Sequence, residues 1–185
     1  MIEETLADAG QKMDAAVRHT QGEIAKIRTG RANPGLITDL PVSYYGSQTP
    51  LQQLAGVSVP EPRMLVVAPY DRNALKEIER AIRSSDLGLN PSNDGEIIRV
   101  LFPELTQERR RQFVRLAKER AEDGRTAVRN VRRHAKGEID RLSRDGEVPE
   151  DEARRADKRL QELTDQHIHV IDRLVSTKEK ELLEV

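Results

Sequence analysis

Residues 106–146 read TQERRRQFVRLAKERAEDGRTAVRNVRRHAKGEIDRLSRDG. Apolar or small residues recur through this stretch in steps of three and four, which predicts one long helix with a single buried seam. The seam comprises Phe113, Ala117, Ala121, Gly124, Val128, Val131, Ala135, Ile139 and Leu142. Thr106 can cap the start of the helix, and Gly146 stops it. A helix with one apolar stripe needs partner helices against which to bury it.

Two further segments supply those partners. The first runs from Ile2 to Arg28, with apolar residues at the same spacing, and Gly30 and Pro34 break it. The second follows Pro149, which suits the first turn of a helix. Its predicted seam is Ala153, Ala156, Leu160, Leu163, His167, Val170/Ile171 and Leu174. The sequence therefore predicts a three-helix bundle built from both ends of the chain.

The segment between the first and second helices has a different pattern. Alternating apolar residues around Val42 and Val57, and short apolar runs at residues 64–68 and 97–102, predict strands, while residues 73–84 have a helical period. The fold class is therefore α+β, an elongated three-helix bundle with a small inserted domain of β-sheet plus helix. We expect residues 1–29 plus 106–185 to form the bundle and residues 31–104 the insertion. The two connections, at residues 29–31 and 103–105, would form a hinge, and helices of about 40 residues would reach about 60 Å.

Positive charge is concentrated in the second long helix. Between Leu105 and Asp145 there are 13 Lys+Arg against 7 acids, whereas the whole chain has a net charge of -1. On a helical wheel a run of cations, here called the basic stripe, lies beside the apolar seam. The stripe comprises Arg111, Arg115, Lys118, Arg125, Arg129, Arg132 and Lys136. It is either a docking face for a phosphate backbone or a solvated face, since Glu122 can pair with Lys118 or Arg125 and the third helix region is acidic.

Composition excludes several function classes. The chain has no cysteine, which excludes disulfides and thiolate zinc sites and fits a reducing compartment. Five aromatic residues are too few for a nucleic-acid surface based mainly on base stacking. No apolar run is long enough to span a bilayer and no signal peptide is evident, so we expect a cytoplasmic protein.

Nothing in the sequence indicates catalysis. Neither of the common glycine-rich phosphate-binding fingerprints is present, and His167 and His169, two residues apart on a helix, point in nearly opposite directions and cannot chelate one ion. We therefore expect no enzymatic activity, no cofactor, no metal and no catalytic residue. His167 would be packed or interfacial, and His19 and His134 would face solvent.

Several separated motifs resemble bacterial ribosome recycling factors. They are Ile27-Arg28-Thr29-Gly30-Arg31-Ala32-Asn33-Pro34, Tyr44-Tyr45-Gly46, residues 84–91, Asn93-Asp94-Gly95, residues 106–111 and Val128-Arg129-Asn130-Val131-Arg132-Arg133. The resemblance covers the whole chain. It implies an L-shaped two-domain protein of tRNA-like outline with a flexible joint. It also implies binding to the post-termination ribosome against large-subunit ribosomal RNA, with elongation factor G hydrolysing GTP to separate the subunits.

The same resemblance suggests roles for individual residues. Arg129 and Arg132 would be the principal RNA-facing residues, supported by Arg110, Arg133, Arg28 and Arg31. The hinge would comprise Thr29, Gly30, Arg31, Pro103, Glu104 and Leu105. A monomer without membrane or DNA partners is expected. Two alternatives are a coiled-coil adaptor that binds an acidic protein partner, and an enzyme that uses the insertion.

Overall fold

The computed structural model describes residues 1–184 and divides the chain into two compact units. One unit joins Met1–Thr29 to the residues from Gln107 onward, and the other is Gly30–Thr106. Long helices form the first unit, here called the bundle, and a small mixed domain forms the second, here called the sheet domain. This confirms the predicted α+β class of long helices with a small sheet domain.

The bundle contains α1 (Ile2–Ala25), α4 (Gln107–Arg144) and α5 (Glu150–Leu183). The 38 residues of α4 correspond to a length of about 57 Å. Most of its predicted seam is buried, including Val128 and Ile139, and Met13 of α1 and Leu160 of α5 are buried as well. In α5 the buried positions include Thr164 and Val175, each one residue beyond the predicted Leu163 and Leu174.

Helices α1 and α4 approach each other closely at Gly124. An ideal Cβ added there would lie 2.9 Å from Cγ2 and 3.1 Å from Cβ of Thr20, and still closer to its hydroxyl. Thr20 is buried, and its hydroxyl donates to the carbonyl of Ala16 at 2.9 Å. A side chain at position 124 would therefore collide with a buried neighbour that is held by a hydrogen bond.

The turn between α4 and α5 is closed by its own backbone. The amides of Glu147 and Val148 both donate to the carbonyl of Leu142, at 3.0 and 3.3 Å. Val148 is buried, so the turn is also held by an apolar contact. Pro149 precedes α5, and its first turn carries three acids, which stabilise the positive end of the helix dipole.

The sheet domain contains two sheets, two α-helices and two short 3₁₀ helices, Pro34–Leu36 and Arg72–Ala74. Strands β1 (Pro41–Tyr44) and β2 (Ser47–Pro50) form a hairpin, and α2 (Leu51–Leu54) leads into β3 (Ala55–Glu61). The chain continues through β4 (Met64–Pro69), α3 (Leu75–Ser84), β5 (Asn90–Asn93) and β6 (Ile98–Leu101). The larger sheet has the order β3-β4-β6-β5, with every pair antiparallel.

The apolar face of α3 provides much of the core of the sheet domain. Ile78 and Ile82 are fully buried with Leu65 and Val67 of β4 and Val100 of β6. The alternation in β4 and β6 thus directs every second side chain into one core. This core contains only residues of the sheet domain, so the insertion has its own hydrophobic interior.

Candidate nucleic-acid interface

The basic stripe lies on α4, and its middle is paired with acids of α5. The ammonium of Lys118 lies 3.1 Å from Glu179 Oε1, and that of Lys136 lies 3.5 Å from Asp157 Oδ1. Arg125 donates from Nε to Asp172 Oδ1 at 2.8 Å. The acidic helix α5 therefore offsets part of the positive charge of α4. Such pairing is what the alternative of a solvated, ion-paired face predicts.

Glu122 holds two arginines of the stripe. Nη1 of Arg125 and Nη1 of Arg129 each donate to its carboxylate at 2.9 Å. The Arg129 hydrogen bond, followed by that of Arg125, lowers the pKa of Glu122. Arg125 also pairs with Asp172 and is the less exposed of the two arginines, so it is held within the bundle surface. Arg129 is about half exposed and pairs with Glu122.

Arg132 has a different environment. It is half-buried, and its Nε is shielded from solvent without a hydrogen-bond partner. No acidic side chain among residues 1–184 forms an ion pair with it. A donor in this state has lost water without gaining an acceptor, which costs free energy in the folded protein. Arg133 beside it is exposed and likewise forms no ion pair with the described residues.

The stripe has a second unpaired group near the start of α4. Arg111 and Arg115 are exposed, and neither has an acidic partner within residues 1–184. Arg115 and Arg132 are 17 positions apart, which corresponds to about 26 Å along the helix. The unpaired arginines of the stripe therefore lie at two positions, with ion-paired cations between them.

The remaining predicted RNA-facing residues are dispersed. Nη1 of Arg110 donates to the carbonyl of Glu184 at 3.3 Å, so this residue connects α4 to the end of the chain. Arg28 is exposed and belongs to the bundle, whereas Arg31 is exposed and belongs to the sheet domain. The structure thus brings Arg129, Arg132 and Arg133 together on adjacent turns of α4 and places the other three elsewhere.

The predicted hinge residues lie where the chain passes between the two units. The divisions fall after Thr29 and after Thr106. Gly30 has φ +78°, and a Cβ there would lie 3.3 Å from Cγ of Leu105, so both connections run side by side. Only glycine adopts this backbone conformation without strain while leaving room for Leu105.

Known proteins resemble this chain along its length. The family model described as ribosome recycling factor matches residues 20–183. Among curated relatives, the ribosome-recycling factors of Thermobifida fusca and Streptomyces coelicolor are 56% and 55% identical, and each alignment covers 100% of both chains. The chain belongs to the ribosome recycling factor family. The resemblance found in the sequence motifs is thereby confirmed.

Solved structures of the same family share this fold. A solution structure of a ribosome recycling factor is 44% identical, with a TM-score of 0.82 and coverage of 100% of this chain and 98% of that one. A second match, also 44% identical, has a TM-score of 0.68 and covers 100% of both chains. It comes from models of the T. thermophilus ribosome recycling factor and the E. coli elongation factor G bound to the E. coli post-termination complex.

The histidines of this family member follow the sequence-based expectation. Nδ1 of His167 lies 2.7 Å from the carbonyl oxygen of Leu163, and its Nε2 lies 2.9 Å from Asp14 Oδ1, so the ring links α5 to α1. His19 and His134 are exposed. Within residues 1–184 no group of three or more histidine, cysteine or acidic side chains is placed to hold a metal ion.

Among residues 1–184, no helix combines the length and apolar composition that crossing a membrane requires.

Sequence reasoning missed features that depend on packing between elements. The unsatisfied Nε of Arg132 carries no sequence signal, because it depends on how α4 and its neighbours shield that atom. The hydrogen bond from the hydroxyl of Tyr44 to Asp71 Oδ2, at 2.8 Å, was also missed, because Tyr44 was noted only as part of a family motif.

Proposed function

We propose that this chain binds the post-termination ribosome and, with elongation factor G and GTP, promotes dissociation of the subunits so that they can initiate again. In this proposal the elongation factor hydrolyses the GTP, and this chain acts by binding without catalysing a reaction. The work would take place in the cytoplasm. The names of its full-length relatives support the activity.

The observation that carries the RNA contact is that Arg132 has no acidic partner among residues 1–184. Its Nε is shielded from solvent, so a phosphate would bind its Nη donors. Arginine also suits phosphate because its planar fork can donate two parallel hydrogen bonds. We therefore assign the first contact with large-subunit ribosomal RNA to Arg132, with Arg133 next to it.

Arg129 can join this contact at low cost. Its hydrogen bond to Glu122 lies on the surface, where ion pairs contribute little net stability. Replacing the carboxylate of Glu122 by a phosphate as the partner of Arg129 therefore costs little free energy. Arg110, Arg28 and Arg31 stay in the proposal as supporting contacts. The hinge assigned to residues 29–31 and 103–105 would let the two units change orientation during splitting.

The test compares two arginines on opposite sides of α4. Arg132 and Arg141 are nine residues apart, or about 180° around the helix, and Arg141 pairs with Asp145. We expect Arg132→Ala to weaken cosedimentation with vacant ribosomes and to reduce the slope of log K against log salt by about 1, because one phosphate contact is lost. Arg141→Ala, which removes the same charge, should change neither quantity.

A subunit-splitting assay with elongation factor G and GTP completes the test. Wild-type protein should accelerate splitting, and Arg132→Ala should require a higher concentration while its melting temperature stays unchanged. Equal effects of the two alanine variants would refute the assignment of Arg132. Absence of ribosome binding by the wild-type chain would refute the proposed function and favour the adaptor alternative.

A further inference from the structure

A groove of the bundle contains a largely buried lysine. The groove lies between the end of α1 and the second half of α5, and its volume is about 460 Å³. Its apolar walls include Ile24 of α1 and Val170 and Leu174 of α5. Lys178 lines the same groove, and only 12% of its side chain is exposed. The stem of this lysine is therefore covered by the protein, beside an open space.

The ammonium of Lys178 has little compensation for this burial. Its acidic neighbour among residues 1–184 is Glu181, whose Oε2 lies 3.9 Å from Nζ, too far for a hydrogen bond. Burial lowers the pKa of Lys178, and the negative charge of Glu181 opposes this only in part. The residues of α1 that line the groove are Gln21, Ile24 and Ala25, and none of them ionises. No second acid of the groove therefore supports the charged form.

A desolvated lysine is a nucleophile. A lysine in water is almost entirely protonated at pH 7 and has no lone pair available, whereas loss of water from the ammonium favours the neutral amine. Such desolvation is one of the ways in which proteins activate lysine for covalent chemistry. Lys158, also on α5, is exposed and keeps its water. The chain thus offers two lysines of one helix in opposite environments.

A cation on the rim of the groove indicates the class of reagent. Arg173 lines the groove, is exposed and has no acidic partner within residues 1–184. Thr177, one turn further along α5, also lines the groove. Arginine binds phosphate through two parallel hydrogen bonds, and a hydroxyl is a further donor. The groove therefore combines an apolar wall, an amine and donors suited to a phosphate.

We propose that Lys178 is an acylation site, modified at Nζ by a small acyl phosphate whose phosphate group is bound by Arg173. The ammonium first loses a proton to water. The neutral amine then attacks the carbonyl carbon, so that a C–N bond forms and the C–O bond to the phosphate breaks. The leaving phosphate takes the electron pair of that bond and the remaining surplus proton of the nitrogen. The products are an amide at Lys178 and hydrogen phosphate.

Acylation should also stabilise the bundle. The amide carries no charge, so the cost of burying an ammonium disappears. A short acyl chain would also find apolar neighbours in Val170 and Leu174. The modification needs no ribosome, so this inference goes beyond the proposed function and does not depend on it.

The first experiment compares lysines within the wild-type, full-length protein. The protein is treated with acetyl phosphate at several pH values, and mass spectrometry of proteolytic peptides measures the rate of acetylation at each lysine. Lys178 should react several-fold faster than Lys158 at pH 7. The ratio of the two rates should fall as the pH rises toward about 10, where exposed lysines also lose their protons. Equal rates at pH 7 would overturn the proposal.

The second experiment tests the class of acyl donor. Arg173→Ala should slow acetylation of Lys178 by acetyl phosphate, but not by S-acetyl-N-acetylcysteamine, a thioester without phosphate. Arg154→Ala is the matched control on the same helix, because Arg154 pairs with Glu150 outside the groove, and it should react as the wild type does with both reagents. If Arg173→Ala reacts with acetyl phosphate as fast as the wild type, the assignment to acyl phosphates is refuted.

A third measurement tests the cost of burying the ammonium. Lys178→Met keeps an unbranched stem and removes the amine, so this variant should melt at a higher temperature than the wild type. Wild-type protein acetylated at Lys178 should show a shift in the same direction. A lower melting temperature in both cases would contradict the argument that burial activates this lysine.

Discussion

Replacing Gly124 with alanine should destabilise the bundle, although alanine is the better helix former. The added Cβ would enter the space of Thr20, whose Cγ2 and Cβ lie 2.9 and 3.1 Å from its ideal position. Thr20 is buried and cannot rotate freely, because its hydroxyl is bonded to the carbonyl of Ala16. Either the two helices separate or Thr20 gives up this hydrogen bond.

The expected free-energy change combines three terms. Overpacking of a core costs about 1–3 kcal/mol. Leaving the buried hydroxyl of Thr20 without its acceptor costs about 1–3 kcal/mol if the side chain rotates. Alanine in place of glycine recovers about 1 kcal/mol of helix propensity. We expect a net loss of about 2 kcal/mol, which lowers the melting temperature of a chain of this size by about 4–8 °C.

Circular dichroism at a helix-sensitive wavelength, during both heating and denaturant titration, measures this loss. Gly137→Ala is the matched control on the same helix, since nothing lies within 4 Å of its added Cβ, and it should raise stability by about 1 kcal/mol. Thr20→Ala combined with Gly124→Ala should recover part of the loss, since the colliding atoms are removed. A Gly124→Ala variant as stable as Gly137→Ala would refute the packing argument.

Two further predictions concern the sheet domain and the connections. Hydrogen bonds from the amides of Ile97 and Glu96 and from Arg99 lower the pKa of Asp94 from 3.8 to about 2. The charged carboxylate therefore stabilises the domain fully when the pH is above about 4, and this contribution is lost as the pH falls through about 2. Asp94→Asn should therefore melt below the wild type at pH 6, and the difference should vanish near pH 2; a constant difference would contradict the linkage. Gly30→Pro should slow subunit splitting more than it weakens ribosome binding, because proline cannot adopt φ +78° at the connection. Splitting at the wild-type rate would show that the conformation of Gly30 is not needed.

The helices of the bundle were predictable because their burial repeats with the helical period. Val128 and Ile139 are buried where the seam of α4 predicts them. Thr164 broke the pattern in α5: it is a polar residue in the core, satisfied by donating to the carbonyl of Leu160 at 2.7 Å. A hydropathy pattern cannot reveal this, because the hydrogen bond forms within the helix and removes the cost of burial.

The sheet domain was predictable where strands are apolar. Strand β4 carries a continuous apolar run, but β5 consists of Asn90, Pro91, Ser92 and Asn93 at the edge of the sheet. An edge strand with polar residues gives no alternating signal, although its pairing with β6 is regular. The sequence placed Gly124 in the seam of α4, but its close contact with Thr20 of α1 cannot be seen in one segment alone.

For the candidate site, the sequence predicted the helix and the face that carry the basic stripe, but not which of its cations form ion pairs. Pairing within α4 can be anticipated from spacing, as for Arg125 and Glu122. The pair between Arg125 and Asp172 joins residues 47 positions apart and depends on the packing of α4 against α5. The structure therefore distinguishes Arg132 from neighbours that have the same residue type and the same spacing.

The separation of the unpaired arginines along the stripe also determines where α4 attracts a polyanion. A uniformly charged rod would hold a phosphate backbone equally well at every position, and the backbone could slide along it. Here Glu122, Asp157 and Asp172 pair with cations of the stripe, and its unpaired arginines are Arg111 and Arg115 at one position and Arg132, beside Arg133, at the other. The acids of α4 and α5 thus act as spacers: only a polyanion with phosphates about 26 Å apart reaches both positions in one register.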